Sequence, residues 1–181
     1  MNIFAVHNDP IISAQSQVDK HVVKMSTESA QLLCTAHRVL DGQQYVGKTK
    51  TGRNVKRWIL YDERETLLYS ATHFSHPSAV WCRQSNNNYT WLYCHFLALL
   101  NEYTHRYGKK HKCNFLVDVL MSPPQNIPVG YKTQVTPAMP DEYKVPGDSV
   151  TSYRNYYKNA KTHLHKWTNR TPPEWIYETE D

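Results

Sequence analysis

The sequence predicts a mainly α protein, a single-domain helical bundle over residues 1–181 led by one long N-terminal helix, with a short N-terminal strand as an option. Three observations predict it. Pro10 to Leu40 contains no glycine and no further proline. Residues 88–107 repeat apolar side chains at helical spacing and stop at Gly108. No repeat, low-complexity run or heptad seam divides a chain whose length suits one hydrophobic core.

Asn2 to Val6 reads as a strand or an extended lead-in, and Asp9 before Pro10 reads as a helix N-cap. At about 100° per residue, Val18, Val22, Met25, Ser29, Leu32, Leu33, Ala36 and Leu40 share the core face of the long helix. Beside that stripe runs a polar row, Gln17, His21, Lys24 and Glu28, where a cleft wall would stand. An imidazole, an ammonium and a carboxylate there can bind an anion and move a proton. Spacing alone weighs somewhat more for a plain exposed flank with i,i+4 pairs.

Residues 41–57 carry Lys48, Lys50, Arg53, Lys56 and Arg57 with three glycines, the composition of an exposed basic loop or loose hairpin suited to phosphate contact. Trp58 to Phe74 is expected to form a second helix, and Pro77 to start a short one. The next helix, Asn88 to Tyr107, buries Leu92, Phe96, Leu99, Leu100, Tyr103 and Tyr107, and carries a neighbouring row of Trp91, His95, Ala98 and Glu102. Cys113 to Met121 reads as a short helix. Six of the ten prolines then fall between Ser122 and Gly147, which predicts a long ordered loop over 122–147. Asp148 is expected to cap a last helix, Ser149 to Trp167, and Trp175 to pack back onto the body.

A net charge of +5 favours polyanionic partners, nucleotide or nucleic acid. Thirteen tyrosines and five tryptophans suit stacking on planar ligands and serve a polar core equally well. No signal peptide or membrane-spanning run is legible, so no membrane partner is expected and a cytoplasmic protein is. Cys34, Cys82, Cys94 and Cys113 form no CxxC pair and read as reduced thiols. The histidines lack strong zinc spacing, so neither metal nor cofactor is expected.

His76-Pro77, Trp81, Arg83, Ser85, Asn88-Tyr89 and Trp91-Leu92, followed by Glu102-Tyr103, Arg106-Tyr107-Gly108-Lys109 and His111, form a pattern that resembles a family of uncharacterised tailed-phage proteins. The Asp19 to Met25 and Tyr153 to Tyr157 blocks fit the same pattern. The resemblance implies a viral protein working in a bacterial cytoplasm and brings no catalytic residue with it.

The residues themselves suggest an enzyme acting on a nucleotide or a DNA base, by base modification or glycosidic-bond chemistry. His21, Glu28 and Asp9 are its candidate catalytic groups. His7, Gln17, Lys24, His76, Trp81, Arg83, Asn88 and Tyr89 are its candidate binding groups, with Lys24 and Arg83 on phosphate and Trp81 or Tyr89 on the base. The alternative is a non-catalytic nucleotide or nucleic-acid binder, or a counter-defence inhibitor of a host protein.

Overall fold

The computed structural model describes residues 1–178 and is mainly helical. Its elements are α1 (Pro10–Ser16), α2 (Asp19–Asp41), β1 (Gln43–Lys48), β2 (Asn54–Ile59), α3 (Arg64–Leu67), α4 (Pro77–Gln84), α5 (Asn86–Tyr107), α6 (Val117–Leu120) and α7 (Ser149–Ala160), with short 3-10 turns between and after them. The two long helices, α2 and α5, pack on each other, α1 packs on α5, and α4 closes over α2. No helix among the described residues is long and apolar enough to cross a membrane.

Local signals act where the sequence places them. Asp9 accepts the Ile11 and Ile12 amides and Asp148 accepts the Thr151 amide, each covering donors the first helical turn leaves free. α5 starts ahead of the expected Asn88, capped by Ser85, and ends at Gly108 in the left-handed conformation (φ 66°), as an αL terminator should. The expected core face of α2 is buried from Val18 to Ala36, and only Leu40 is left partly exposed.

The long N-terminal helix is two helices. Gln17 and Val18 are both extended (ψ 145° and 156°), because the bonds that would continue the helix are used elsewhere. The Asp19 N–H donates to the Lys166 carbonyl (2.8 Å), and the Gln17 amide reaches the Ile3 and Phe4 carbonyls (both 3.1 Å). Asn2 to Val6 is therefore a buried segment outside any strand, whose Ile3, Phe4 and Val6 carbonyls accept from the Gln17 and Arg154 side chains.

The helix expected over Trp58 to Phe74 shrinks to the single turn α3. Arg38 is the reason: its guanidinium donates to the carbonyls of Tyr69 (2.7 Å), Leu68 (2.8 Å), Glu65 (3.0 Å) and Trp58 (3.1 Å). Carbonyls gathered around one cation cannot all point along a helix axis. The basic loop is a hairpin, as one of its two readings held, paired from Gln43↔Ile59 to Lys48↔Asn54. The last helix ends at Ala160, short of Trp167, and Trp175 returns to the core, edge-on to Tyr157 with ring centroids 6.0 Å apart.

Candidate functional site

The polar row on α2 does not behave as one unit. Gln17 is fully buried, and besides its bonds to Ile3 and Phe4 its amide donates to His95 Nε2 (3.2 Å). His21 is enclosed, stacked on Phe4 at 4.1 Å and hydrogen-bonded to the Tyr157 hydroxyl. Burial, helped by the charges of Lys161 and Lys24, pulls its imidazole down to about 3, so it is neutral at physiological pH. A neutral ring sealed behind Phe4 orients the N-terminal segment.

Two turns of helix on, the setting changes. The Glu28 side chain keeps 11% of its surface exposed and Lys24 beside it keeps 68%. Glu28 Oε2 accepts the backbone N–H of Asn2 (2.7 Å) and lies 3.8 Å from the amino group of Met1, while Oε1 faces Lys24 Nζ at 3.3 Å. Phe4, with φ 56° in a region few side chains adopt, bends the segment that delivers Asn2 to this carboxylate. The Asn2 side chain is itself fixed by the Tyr153 hydroxyl (2.8 Å) and the Ala138 carbonyl (2.7 Å).

His76 borders the group. Burial lowers its imidazole, the positive charges of the Met1 amine and His73 lower it further, and Glu28 opposes them. Its Nδ1 accepts the Ser78 amide (3.1 Å), which caps α4 and fixes the ring. The loop from Thr72 to His76 is laid along α2 by two bonds to Thr35, 3.1 and 3.3 Å long. Glu28, Lys24 and the first two residues thus form one carboxylate-centred cluster, with His76 near enough to feel its charge.

The remaining predicted residues lie elsewhere. Trp81 and Tyr89 are buried at 1% and 0% exposure, so neither ring offers a face to an incoming base. Trp81 Nε1 donates to Thr133 Oγ1 (3.0 Å), and the Tyr89 hydroxyl donates to the Leu120 carbonyl (2.9 Å) while accepting from His37 Nε2 (2.8 Å). Asn88, fully buried, ties Trp81 and Thr133 together and locks the 130s loop onto α5. Arg83 turns back to the Ala79 carbonyl of its own helix (2.9 Å) instead of presenting a phosphate fork. The spacing of Tyr89 with Leu92, Tyr93 and Phe96 already matched an inward face, a signal that could have kept it out of the binding set.

Asp9 and His7 bond to each other, His7 Nδ1 accepting the Asp9 amide (2.9 Å), and neither is hydrogen-bonded to Glu28. His7 lines a cleft of about 260 Å³ with Asn8, Trp91, Lys132, Gln134 and Asp148, and no other predicted site residue lines it. Among the described residues, no three of His, Cys, Asp and Glu converge as metal ligands.

Comparison with known proteins adds no relative. The chain matches no family model, no curated protein and no solved structure. The functional reading therefore rests on the cluster itself. Its chemistry is that of a semi-enclosed carboxylate flanked by an exposed ammonium and an amine, with an imidazole nearby. Sequence reasoning found Glu28 and Lys24, grouped His76 with a different wall, and missed Asn2 and the Met1 amine, which periodicity cannot place.

Proposed function

We propose that this is a phage-type enzyme of the host cytoplasm that cleaves the glycosidic bond of a nucleotide or of a base in DNA, with Glu28 as its central carboxylate. The observation that carries the reading is the setting of Glu28, held by the Asn2 amide at 2.7 Å and with Lys24 Nζ at 3.3 Å, on the edge of a basic protein. Cleavage breaks the bond from C1′ to the base nitrogen, and the departing base keeps the electron pair and takes up a proton. Positive charge develops on the sugar, where a fixed carboxylate stabilises it. Glu28 also accepts the proton of the water that adds to C1′. Lys24 holds the adjoining phosphate, and the departing base takes its proton from water.

The test is formation of abasic sites and free base on alkylated, deaminated, oxidised and ultraviolet-irradiated DNA and on free nucleotides. Wild type is expected to release base from one substrate class and Glu28→Gln to lose the activity while keeping the fold. Release undiminished in Glu28→Gln, or from no substrate, contradicts the reading.

The buried rings of Trp81 and Tyr89 favour the second reading, a non-catalytic binder, because they remove the stacking wall expected of a base pocket. That reading predicts nucleic-acid binding without product, unaffected by Glu28→Gln.

A further inference from the structure

Residues 42–61 contain five cations and no Asp or Glu. β1 and β2 fold that stretch into a two-stranded ribbon, turned by the Thr49 N–H to Arg53 carbonyl bond (2.9 Å) with Gly52 at φ 83°. All six residues of β1 are exposed or only partly buried, and among the described residues none of Lys48, Lys50, Arg53, Lys56 and Arg57 makes an ion pair. Unneutralised like charges on a ribbon of marginal intrinsic stability repel one another, so the arm is better suited to an anionic partner than to solvent alone. Three cations, Lys48, Lys50 and Arg53, crowd the tip, and Arg57 lies across Gly47, where a Cβ would come within 2.8 Å of its Cδ.

The base of the arm is built into the body. Arg38 holds the Trp58 carbonyl, the Trp58 ring packs edge-on to Phe74 at 4.9 Å, and Lys56 lies 5.8 Å above Phe74. Phe74 belongs to the same loop that Thr35 lays along α2 and that brings His76 to Glu28. The arm and the carboxylate are thus joined along one side of α2. Thirteen residues of helix separate Glu28 from Asp41, about 20 Å at a rise of about 1.5 Å per residue. In duplex DNA that distance is about six base-pair steps, at about 3.4 Å each.

We propose that the hairpin is an arm for duplex DNA, rooted about six base-pair steps from the nucleotide handled at Glu28, and that its tip takes backbone phosphates. The position of the contact rests on the glycosidic reading, whereas the duplex contact itself does not. A two-stranded ribbon has the width that a major groove admits, and a tip without an aromatic ring offers nothing on which single-stranded bases would stack.

The experiment measures binding of the full chain to an unmodified duplex of about 30 base pairs and to the matching single strand, across a salt series. Wild type is compared with Glu28→Gln and with a variant combining Lys48→Ala, Lys50→Ala and Arg53→Ala. The triple variant should bind duplex at least about tenfold more weakly near 100 mM salt, with the slope of log K against log salt reduced by two to three, about 0.9 per lost phosphate contact. Its melting temperature should not change, since the three side chains are exposed. Glu28→Gln should keep the wild-type slope. Such a result, with base release absent from every substrate, retains the arm and rejects the glycosidic reading. An unchanged slope in the triple variant, an equal loss on single strand, or no duplex binding by wild type overturns the arm.

Discussion

Two helices carry the same pair of functional groups at the same spacing. On α2 an imidazole, His21, precedes a carboxylate, Glu28, by seven residues; on α5 His95 precedes Glu102 by seven. Both imidazoles are buried, and Gln17 bonds to His95 across the interface between the two rows. The carboxylates differ completely. Glu102 is clamped by Arg106 Nε (2.7 Å) and by Arg170 (2.6 and 3.0 Å), and Arg106 also grips Asp19 (2.9 Å), so every charge meets a fixed partner. Glu28 faces one backbone amide, an exposed lysine and an amine. The charges of the closed set are all paired within the protein, although Glu102 and Arg170 border a cavity of about 420 Å³, whereas Glu28 has an exposed lysine as its side-chain partner; residue identity and spacing alone cannot separate them.

Breaking the closed set should have the largest effect. Arg106→Ala leaves buried Glu102 to Arg170 alone and Asp19 without a cation, and should cost about 3–5 kcal/mol of stability, read by denaturant unfolding. The pH dependence of stability sharpens the contrast next. Burial lowers the imidazoles of His21 to about 3, and those of His37 and His95 to about 4, all below the ordinary 6.5. The unfolded chain therefore binds more protons than the folded one below pH 6.5. Stability should fall as the pH drops from there to about 4, by about 1.4 kcal/mol per unit for each histidine. The clamped acids act in a lower window. Burial alone would raise Asp19 and Glu102, but for Asp19 the Thr168 and Arg106 bonds, and for Glu102 those of Arg170 and Arg106, outweigh it and hold both below the ordinary carboxylate range. Their contribution is present above the unfolded carboxylate values and is lost as the pH falls through the folded ones. Unfolding measured from pH 7 to pH 3 checks both windows.

Tyr157→Phe removes the hydroxyl partner of His21 in a sealed site and should cost about 1–3 kcal/mol, with base release per folded molecule kept within a few-fold. The smallest effect on stability belongs to the open set. Lys24→Ala should change it by less than about 0.5 kcal/mol, because the side chain is exposed, while weakening substrate binding.

Much of this was legible in the sequence, for identifiable reasons. Asp9, Pro77, Gly108 and Asp148 act through local backbone bonds, so the helix ends they set could be read residue by residue, whereas the Ser85 cap starts α5 ahead of the expected Asn88. The break at Gln17-Val18 could not, because no glycine or proline marks it and the apolar period runs on through it. Its cause is Lys166, nearly 150 residues away. The loss of helix after Ile59 has the same origin in Arg38, a long-range collector of carbonyls. At the site, Glu28 and Lys24 could be found because they share a helix edge. The Asn2 amide and the His76 loop reach them only through the folded chain.

The most direct test sets Glu28→Gln beside Glu102→Gln and records, for each, the melting temperature and the rate of base release. The account predicts opposite profiles. Glu28→Gln should melt close to wild type with release reduced by about 10²-fold or more, and Glu102→Gln should melt well below wild type with release per folded molecule retained. Glu28→Gln melting as low as Glu102→Gln, or releasing base at the wild-type rate, would contradict it.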